Sequence, residues 1–209
     1  MRDKKFAAGC NRNHPSTTTS HAVKKQLSDK IAFAPLPVLI LATWNENGSA
    51  NAMNAAWGVQ SDWAEVTVFL ADHKTTDNLK AKRAFTVSFA DRANLVASDY
   101  FGIESGRKAD RVAKAGMTVS AAPHIDAPVL DAYPLTLECE VKELREEDGG
   151  YTLIGAVKGV LAEESILTDG KVDLGKAALL AYDGVGAQPC YRLVGEKVGD
   201  AFKAGLALK

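Results

Sequence analysis

Apolar residues occupy every position from Pro37 to Ala42 in Pro37-Val38-Leu39-Ile40-Leu41-Ala42-Thr43, and an unbroken run of that length predicts a strand buried on both faces. Asn47-Gly48 supplies the left-handed conformations of a tight hairpin and sends Ser49 to Asn54 back as the partner strand. Glu65 to Ala71 (EVTVFLA) and Phe85 to Asp91 (FTVSFAD) read as strands on either side of a short helix begun within His73 to Lys80, with Thr75 or Thr76 as the N-cap. In the second of these strands Phe85, Val87 and Phe89 alternate with Thr86, Ser88 and Ala90, so one face is core and the other small and polar. Arg92 to Gly116 reads as helical, broken near Gly102 to Gly106, with Ser105 as a candidate N-cap of the second part and Gly116 as a stop. Leu135, Leu137, Cys139 and Val141 alternate with polar residues, a half-buried strand that places the Cys139 thiol in the core. Asp148-Gly149-Gly150 turns the chain into a further strand, Tyr151 to Ala162. Strands joined by tight turns with few helices predict a mainly β protein with peripheral helices, an antiparallel barrel. Residues 1–30 are polar and threonine-rich without apolar periodicity, and read as an arm or tail before a single domain over 31–209.

The charge balance narrows the partners. Of 209 residues, 25 are Lys or Arg and 26 Asp or Glu, a net charge of -1 that gives no electrostatic case for nucleic acid or a membrane surface. The apolar run Leu36 to Ala42 is far short of the roughly 20 residues of a spanning helix. Cys10, Cys139 and Cys190 are too few and scattered for a disulfide framework, which favours a reducing compartment. Ala7-Ala8-Gly9-Cys10 has the look of a lipoprotein cleavage site but no apolar segment before it, so the cytoplasm is the expected location. Cys10, His14 and His21 are followed by no second pair at a zinc-like spacing, and no metal is expected. Gly184-Val185-Gly186 meets Pro189 where a dinucleotide loop has its third glycine. HExxH and GxSxG are both absent, which disfavours a hydrolase.

Two stretches carry candidate chemistry. Gly48 to Trp57 combines small residues, which let a flat ligand approach the backbone, with the amides Asn51 and Asn54 and the rigid apolar wall of Trp57. A turn closed by Asn54 and Trp57 would use the same residues. His73-Lys74-Thr75-Thr76-Asp77-Asn78 brings hydroxyls, positive charge and a helix start together, the requirements of a phosphate monoester, although capping alone would also explain them. Ser88 and Ala90 are placed to line a ligand, and part of the basic cluster Arg107, Lys108, Arg111 and Lys114 could meet an anion.

The Pro37 strand, the Ser49 to Trp57 segment, the His73 to Asn78 patch and the ending Gly195 to Phe202, in that order and spacing, resemble the flavin reductase-like, FMN-binding split-barrel family, in particular its flavoredoxin branch. The resemblance runs from about Ile31 to the C-terminus. It implies an antiparallel Greek-key split barrel, non-covalent FMN, and a homodimer with each flavin near the subunit boundary. It places Asn51, Ala52, Met53, Asn54 and Ala55 along the isoalloxazine edge with Trp57 as a wall. Thr75, Thr76 and Asn78 would hold the phosphate and ribityl chain, with His73 or Lys74 adding charge. Ser88 and Ala90 would back the flavin, and Lys108 or Arg111 would reach a phosphate or an incoming nicotinamide nucleotide. The implied activity is that of an NAD(P)H-dependent flavin reductase or flavoredoxin, hydride passing to the flavin N5 and electrons on to an acceptor or free flavin, with the protein supplying position and electrostatics. The alternatives are a non-enzymatic FMN electron carrier, a flavin oxidase of the pyridoxamine-phosphate type, and a barrel with a structural role only.

Overall fold

The computed structural model describes residues 24–26 and 33–209. The chain divides into two units, Met1–Ile31 and Ala32–Lys209, and the second carries every helix and strand among the described residues. Cys10, His14 and His21 lie outside the described residues. In chain order the elements are β1 (Leu36–Pro37), β2 (Leu39–Trp44), β3 (Ala50–Ala55), β4 (Gly58–Asp62), β5 (Glu65–Leu70), helix α1 (Lys74–Lys82), β6 (Ala84–Phe89), helices α2 (Leu95–Ile103) and α3 (Arg111–Lys114), β7 (Val119–Ala121), β8 (Pro128–Leu130), β9 (Leu135–Glu147), β10 (Gly150–Ala162), β11 (Leu167–Thr168), β12 (Lys171–Val172), helix α4 (Leu174–Ala177), β13 (Leu180–Asp183) and β14 (Cys190–Leu193).

Seven strands form one antiparallel sheet in the order β3-β2-β6-β9-β10-β5-β4. β3 and β4 are its two edges, yet only Ala56 and Trp57 separate them in the chain. The sheet therefore curls until its edges approach, a split barrel with no β3–β4 ladder to close it. The period of two decides what lies inside. Leu39, Leu41, Met53, Ala55, Val68, Leu70, Phe85, Val87, Cys139, Val141 and Leu153 fill the interior, and Leu79 of α1 joins them. Fully burying a side chain such as Phe85 contributes about 1.5 to 3 kcal/mol. On the outer face of β2 and β3, Ile40, Ala42, Ala50 and Ala52 pack with Phe101, Val112, Leu130, Tyr133 and Leu180. β2 is thus covered on both sides, which is why its sequence shows no polar alternation. The Cys139 thiol sits in the interior as the alternation of β9 predicts, and burial pushes its pKa up to about 12.

Several local expectations are corrected. In the β2–β3 hairpin Gly48 has φ 80 and its N–H donates to Asn45 O at 3.0 Å, while Asn45 N donates to Ser49 O at 2.8 Å. Gly48 alone takes the left-handed conformation, and Asn47 serves through its side chain, accepting from Ser49 N and Ser49 Oγ. Asp110, not Ser105, caps α3, its Oδ1 accepting from Ala113 N at 3.0 Å. Gly58–Asp62 pairs with β5 as an edge strand with no signature in the sequence, since an exposed edge needs no apolar alternation. Among the described residues no helix is long and apolar enough to cross a membrane.

Candidate functional site

Helix α1 begins two or three residues earlier than an N-cap at Thr75 or Thr76 would place it. His73 is the N-cap, in an extended conformation, and Thr75 and Thr76 lie inside the first turn with no exposed surface. Thr76 Oγ1 donates to Ala71 O at 3.0 Å and accepts from His73 N at 3.2 Å, which locks the turn before the helix. Thr75 Oγ1 accepts from Asn51 Nδ2 at 2.8 Å. Asn78 Nδ2 lies 3.0 Å from Thr43 Oγ1 and 2.9 Å from Asn45 Oδ1, donating to both. Thr43 and Asn51 are directly paired across β2 and β3, so one buried polar network ties the hairpin to α1. Thr75, Thr76 and Asn78 are buried against the barrel end and tie α1 to the hairpin: Thr76 Oγ1 and Asn78 Nδ2 spend their donors inside this network, whereas Thr75 Oγ1 enters it as an acceptor.

Two cavities meet beside the start of α1, at Lys74. The larger, about 460 Å³, lies between the β2–β3 hairpin (Asn45, Asn47, Ser49, Asn51) and the segment from Gly106 to Arg111. The smaller, about 260 Å³, is lined by Met53, Asn54, His73, Phe101, Gly102 and Ile103. Lys74, Gly106, Arg107 and Arg111 border both.

Arg111 is the structural centre of that border. Only 6% exposed, it donates from Nη1 to Phe101 O at 2.8 Å and Glu104 O at 2.7 Å, and from Nη2 to Asn51 Oδ1 at 3.0 Å. It thereby caps the C-terminal carbonyls of α2 and grips β3 with one guanidinium. Its Nε is buried and has no hydrogen-bond partner among the described residues. Gly106 makes the arrangement possible, since a Cβ there would overlap Asn51 Oδ1 and stand 2.7 Å from Arg111 Nη2. Arg107 is spent differently: it bridges Asp72 at 2.8 Å and Asp77 at 3.1 Å. Its hydrogen bond holds the Asp72 carboxyl below the usual range, while the two aspartates raise the guanidinium. Burial, followed by the nearby Arg111 charge, lowers the His73 pKa from its ordinary value.

The remaining predicted residues divide. Lys74 borders both cavities, His73, Met53 and Asn54 the smaller, Asn51 and Lys108 the larger. Asn54 Nδ2 donates to Ser98 O at 2.8 Å, so its amide is partly committed to α2. Ala52 and Ala55 are buried in the outer and inner cores, leaving only their backbone for a ligand. β3 is an edge strand, paired with β2 on one side and bare on the other, and α1, α2 and α3 all contact it. Trp57 is 67% exposed and lines neither cavity, because β3 ends at Ala55 and the strand alternation that would aim the ring is lost. Ser88 and Ala90 are wholly buried and line neither cavity either. β6 is an interior strand, and Ser88 Oγ is hydrogen-bonded to Thr136 Oγ1 at 2.8 Å. Sequence reasoning missed Thr43, Asn45 and Gly106. A threonine ending an apolar strand opposite Asn51 in a hairpin was a legible signal, whereas Gly106 read only as a helix break.

The comparisons fit this geometry. The family described as "Flavin reductase like domain" matches residues 32–184. No curated protein matches the chain. Among solved structures, the chain is similar to the flavoredoxin of Desulfovibrio vulgaris (Miyazaki F), with 30% identity over 88% of this chain and 100% of that one and a TM-score of 0.82. It is similar to the flavoredoxin from Methanosarcina acetivorans at 29% identity, covering 90% of this chain and 100% of that one, TM-score 0.80. An FMN-binding protein from Thermus thermophilus, at 23% identity over 87% of this chain and 98% of that one with a TM-score of 0.69, shares the fold. With the split barrel, the bare β3 edge and the α1 wall in place, the chain belongs to the flavin reductase-like family, on its flavoredoxin branch.

Proposed function

We propose that this chain binds FMN non-covalently and works as a flavin oxidoreductase that takes electrons from NADH or NADPH. The observation that carries the reading is the pair of cavities meeting at Lys74, Gly106 and Arg111 beside the unpaired edge of β3. The residues fit the cofactor. Backbone amides and carbonyls on a strand edge read the heteroatoms of a flat ring, and the alanines of β3 keep side chains from holding it off. Lys74 and Arg111 supply positive charge for a phosphate, and Asn51 and Asn54 face the cavities from the same strand. FMN, when bound, would supply two-electron chemistry that protein side chains alone do not offer. The chain's own part is to orient the ring, hold its anionic tail and exclude water with the buried Thr43–Asn51–Thr75–Asn78 network.

A homodimer belongs to the proposal. Val59, Trp63 and Val160 are 58%, 95% and 57% exposed around an apolar cavity of about 460 Å³, and Val198 and Phe202 near the C-terminus are 96% and 100% exposed. Apolar surface of this kind calls for a cover, and a second copy carries both the surface and the tail. Size-exclusion chromatography with light scattering checks this, and a monomer at micromolar concentration refutes it.

The functional test is spectroscopic. The purified protein, reconstituted with FMN, is titrated without oxygen with NADH and then NADPH. Rapid bleaching of the bound flavin is the expected result. A protein that holds FMN but is not bleached by either nucleotide is an electron carrier instead, and one that takes up no FMN refutes the proposal.

A further inference from the structure

Residues 105–110 lie between α2 and α3 and form one side of both cavities. The two ends of this segment are fixed. Arg111 Nη1 donates to Glu104 O at 2.7 Å, and the Asp110 side chain caps α3. Between those ends the segment has no buried residue, so core packing does not hold it down. Among the described residues, Arg107 makes every hydrogen bond from this segment to the facing walls of the cavities. Its Nη1 and Nη2 donate to the two oxygens of Asp72 at 3.3 and 2.8 Å, and its Nε and Nη2 donate to Asp77 Oδ2 at 3.2 and 3.1 Å. Asp72 stands just before the N-cap of α1, and Asp77 lies in the first turn of that helix. Arg107 borders both cavities and Asp72 the smaller one, so the guanidinium fork crosses their junction from one wall to the other. The three side chains are between 44% and 65% exposed, and ion pairs so exposed are weak and screened by salt. A fastening of that strength holds the segment in place and still lets it open.

We propose that Arg107 is a latch: by fastening residues 105–110 to the start of α1 it sets how fast a flavin enters and leaves the two cavities, and so makes FMN a retained group rather than an exchanging substrate. This rests on the flavin reading above. The partners of Arg107 are the protein's own carboxylates, so the latch closes over an empty and a filled site alike. A contact equally strong in both states slows entry and exit by the same factor and leaves the affinity where it was. A cation that held the ligand itself would behave otherwise. Its loss would speed exit, whereas loss of its two aspartates would free it for the ligand and slow exit.

The experiment measures the association and dissociation rates of FMN by stopped-flow flavin fluorescence, with the full-length wild type, Arg107→Gln and the double variant Asp72→Asn/Asp77→Asn. Both variants are expected to speed exit by about 3- to 30-fold, the span of two exposed ion pairs, and to speed entry with it, so that Kd moves far less than either rate. Raising NaCl should speed exit from the wild type more steeply than from either variant, because the variants have no latch left to screen. A circular-dichroism melt accompanies each protein. Arg107→Lys, which keeps a charge but not the fork, replaces a variant that does not fold and should give a smaller acceleration. Faster exit from Arg107→Gln with slower exit from the aspartate variant would assign Arg107 to the ligand and overturn the latch. Unchanged rates, or a Kd that rises in step with exit in both variants, overturn it as well and leave the flavin site standing. A wild type that takes up no FMN overturns the functional proposal itself.

Discussion

Gly106→Ala tests the construction of the site without replacing a charged residue. The new methyl would overlap Asn51 Oδ1, 2.7 Å from Arg111 Nη2 and 3.2 Å from its Cζ. Side-chain ends normally step aside, but neither of these is loose. Asn51 is 5% exposed and donates to Thr75, and Arg111 is pinned by two carbonyls of the α2 end. The chain has two ways out. Breaking the Arg111–Asn51 hydrogen bond costs about 1.5 to 3 kcal/mol because one partner is charged. Shifting the Gly106 segment instead costs about 1 to 3 kcal/mol, the usual penalty of an overpacked core. Either route lowers stability by about 2 kcal/mol, which for a domain of this size is a fall in Tm of about 4 to 8 °C. The assay is a circular-dichroism melt of wild type and variant, with Gly195→Ala as the control, since a Cβ at Gly195 meets nothing within 4 Å. The variant should also bind FMN more weakly, as both residues that move border the cavities. A Gly106→Ala melt that coincides with the control would show that the Asn51–Arg111 contact is not held as described.

Thr75→Val keeps the shape but removes the acceptor of Asn51 Nδ2, whose next oxygen, Thr43 Oγ1, stands at 3.5 Å; a loss of about 1 to 3 kcal/mol is expected in chemical denaturation. An unchanged denaturation midpoint would refute the network. Cys139, neutral and wholly buried, should stay unmodified by iodoacetamide in the folded protein while the partly exposed Cys190 reacts, as peptide mass spectrometry will show. Native-state alkylation of Cys139 at the rate of Cys190 would contradict the core assignment. His73 has a folded-state pKa below its ordinary 6.5, so the unfolded chain binds its proton more readily. Its contribution to stability is therefore complete above pH 6.5 and is lost as the pH falls through the folded value. Across that window the Tm of the wild type should fall more steeply with decreasing pH than that of His73→Gln, and identical acid sensitivity would refute the assignment.

What could be read in the sequence was whatever repeats along the chain. The run Pro37 to Ala42 and the alternations of Phe85 to Phe89 and Leu135 to Val141 fixed three neighbouring strands, because burial on one or two faces leaves a period that survives in one dimension. β4 left no such trace, being an exposed edge. The site was half legible for the same reason. The small residues and amides of β3 and the polar helix start stood out by composition, but what each side chain touches is set by partners far away in the chain. Ser88 was placed correctly on a small polar face, yet Thr136, 48 positions on, covers that face. Arg111 was one of four cations in a short stretch. Nothing local shows that Arg107 is neutralised by Asp72 and Asp77, that Lys114 lies over the Tyr100 ring, and that Arg111 alone turns inward.

The position of β3 joins these observations. Asn51 and Asn54 lie three residues apart on a strand, so their side chains leave opposite faces, and they border different cavities. A ligand that occupies both must therefore cross the strand's unpaired edge, where it meets backbone. The alanines of β3 at 50, 52 and 55 give up their methyl groups to the outer and inner cores, and Met53, between the two asparagines, borders the smaller cavity. The crossing explains why the polar network gathers at the Asn51 end rather than along the whole strand. A ring can be read by backbone alone, whereas an anionic tail needs a charge, and the one buried cation touching β3 among the described residues is held at Asn51. The barrel supplies the edge, α1 supplies the wall behind it, and the α2–α3 connection delivers the cation to their junction.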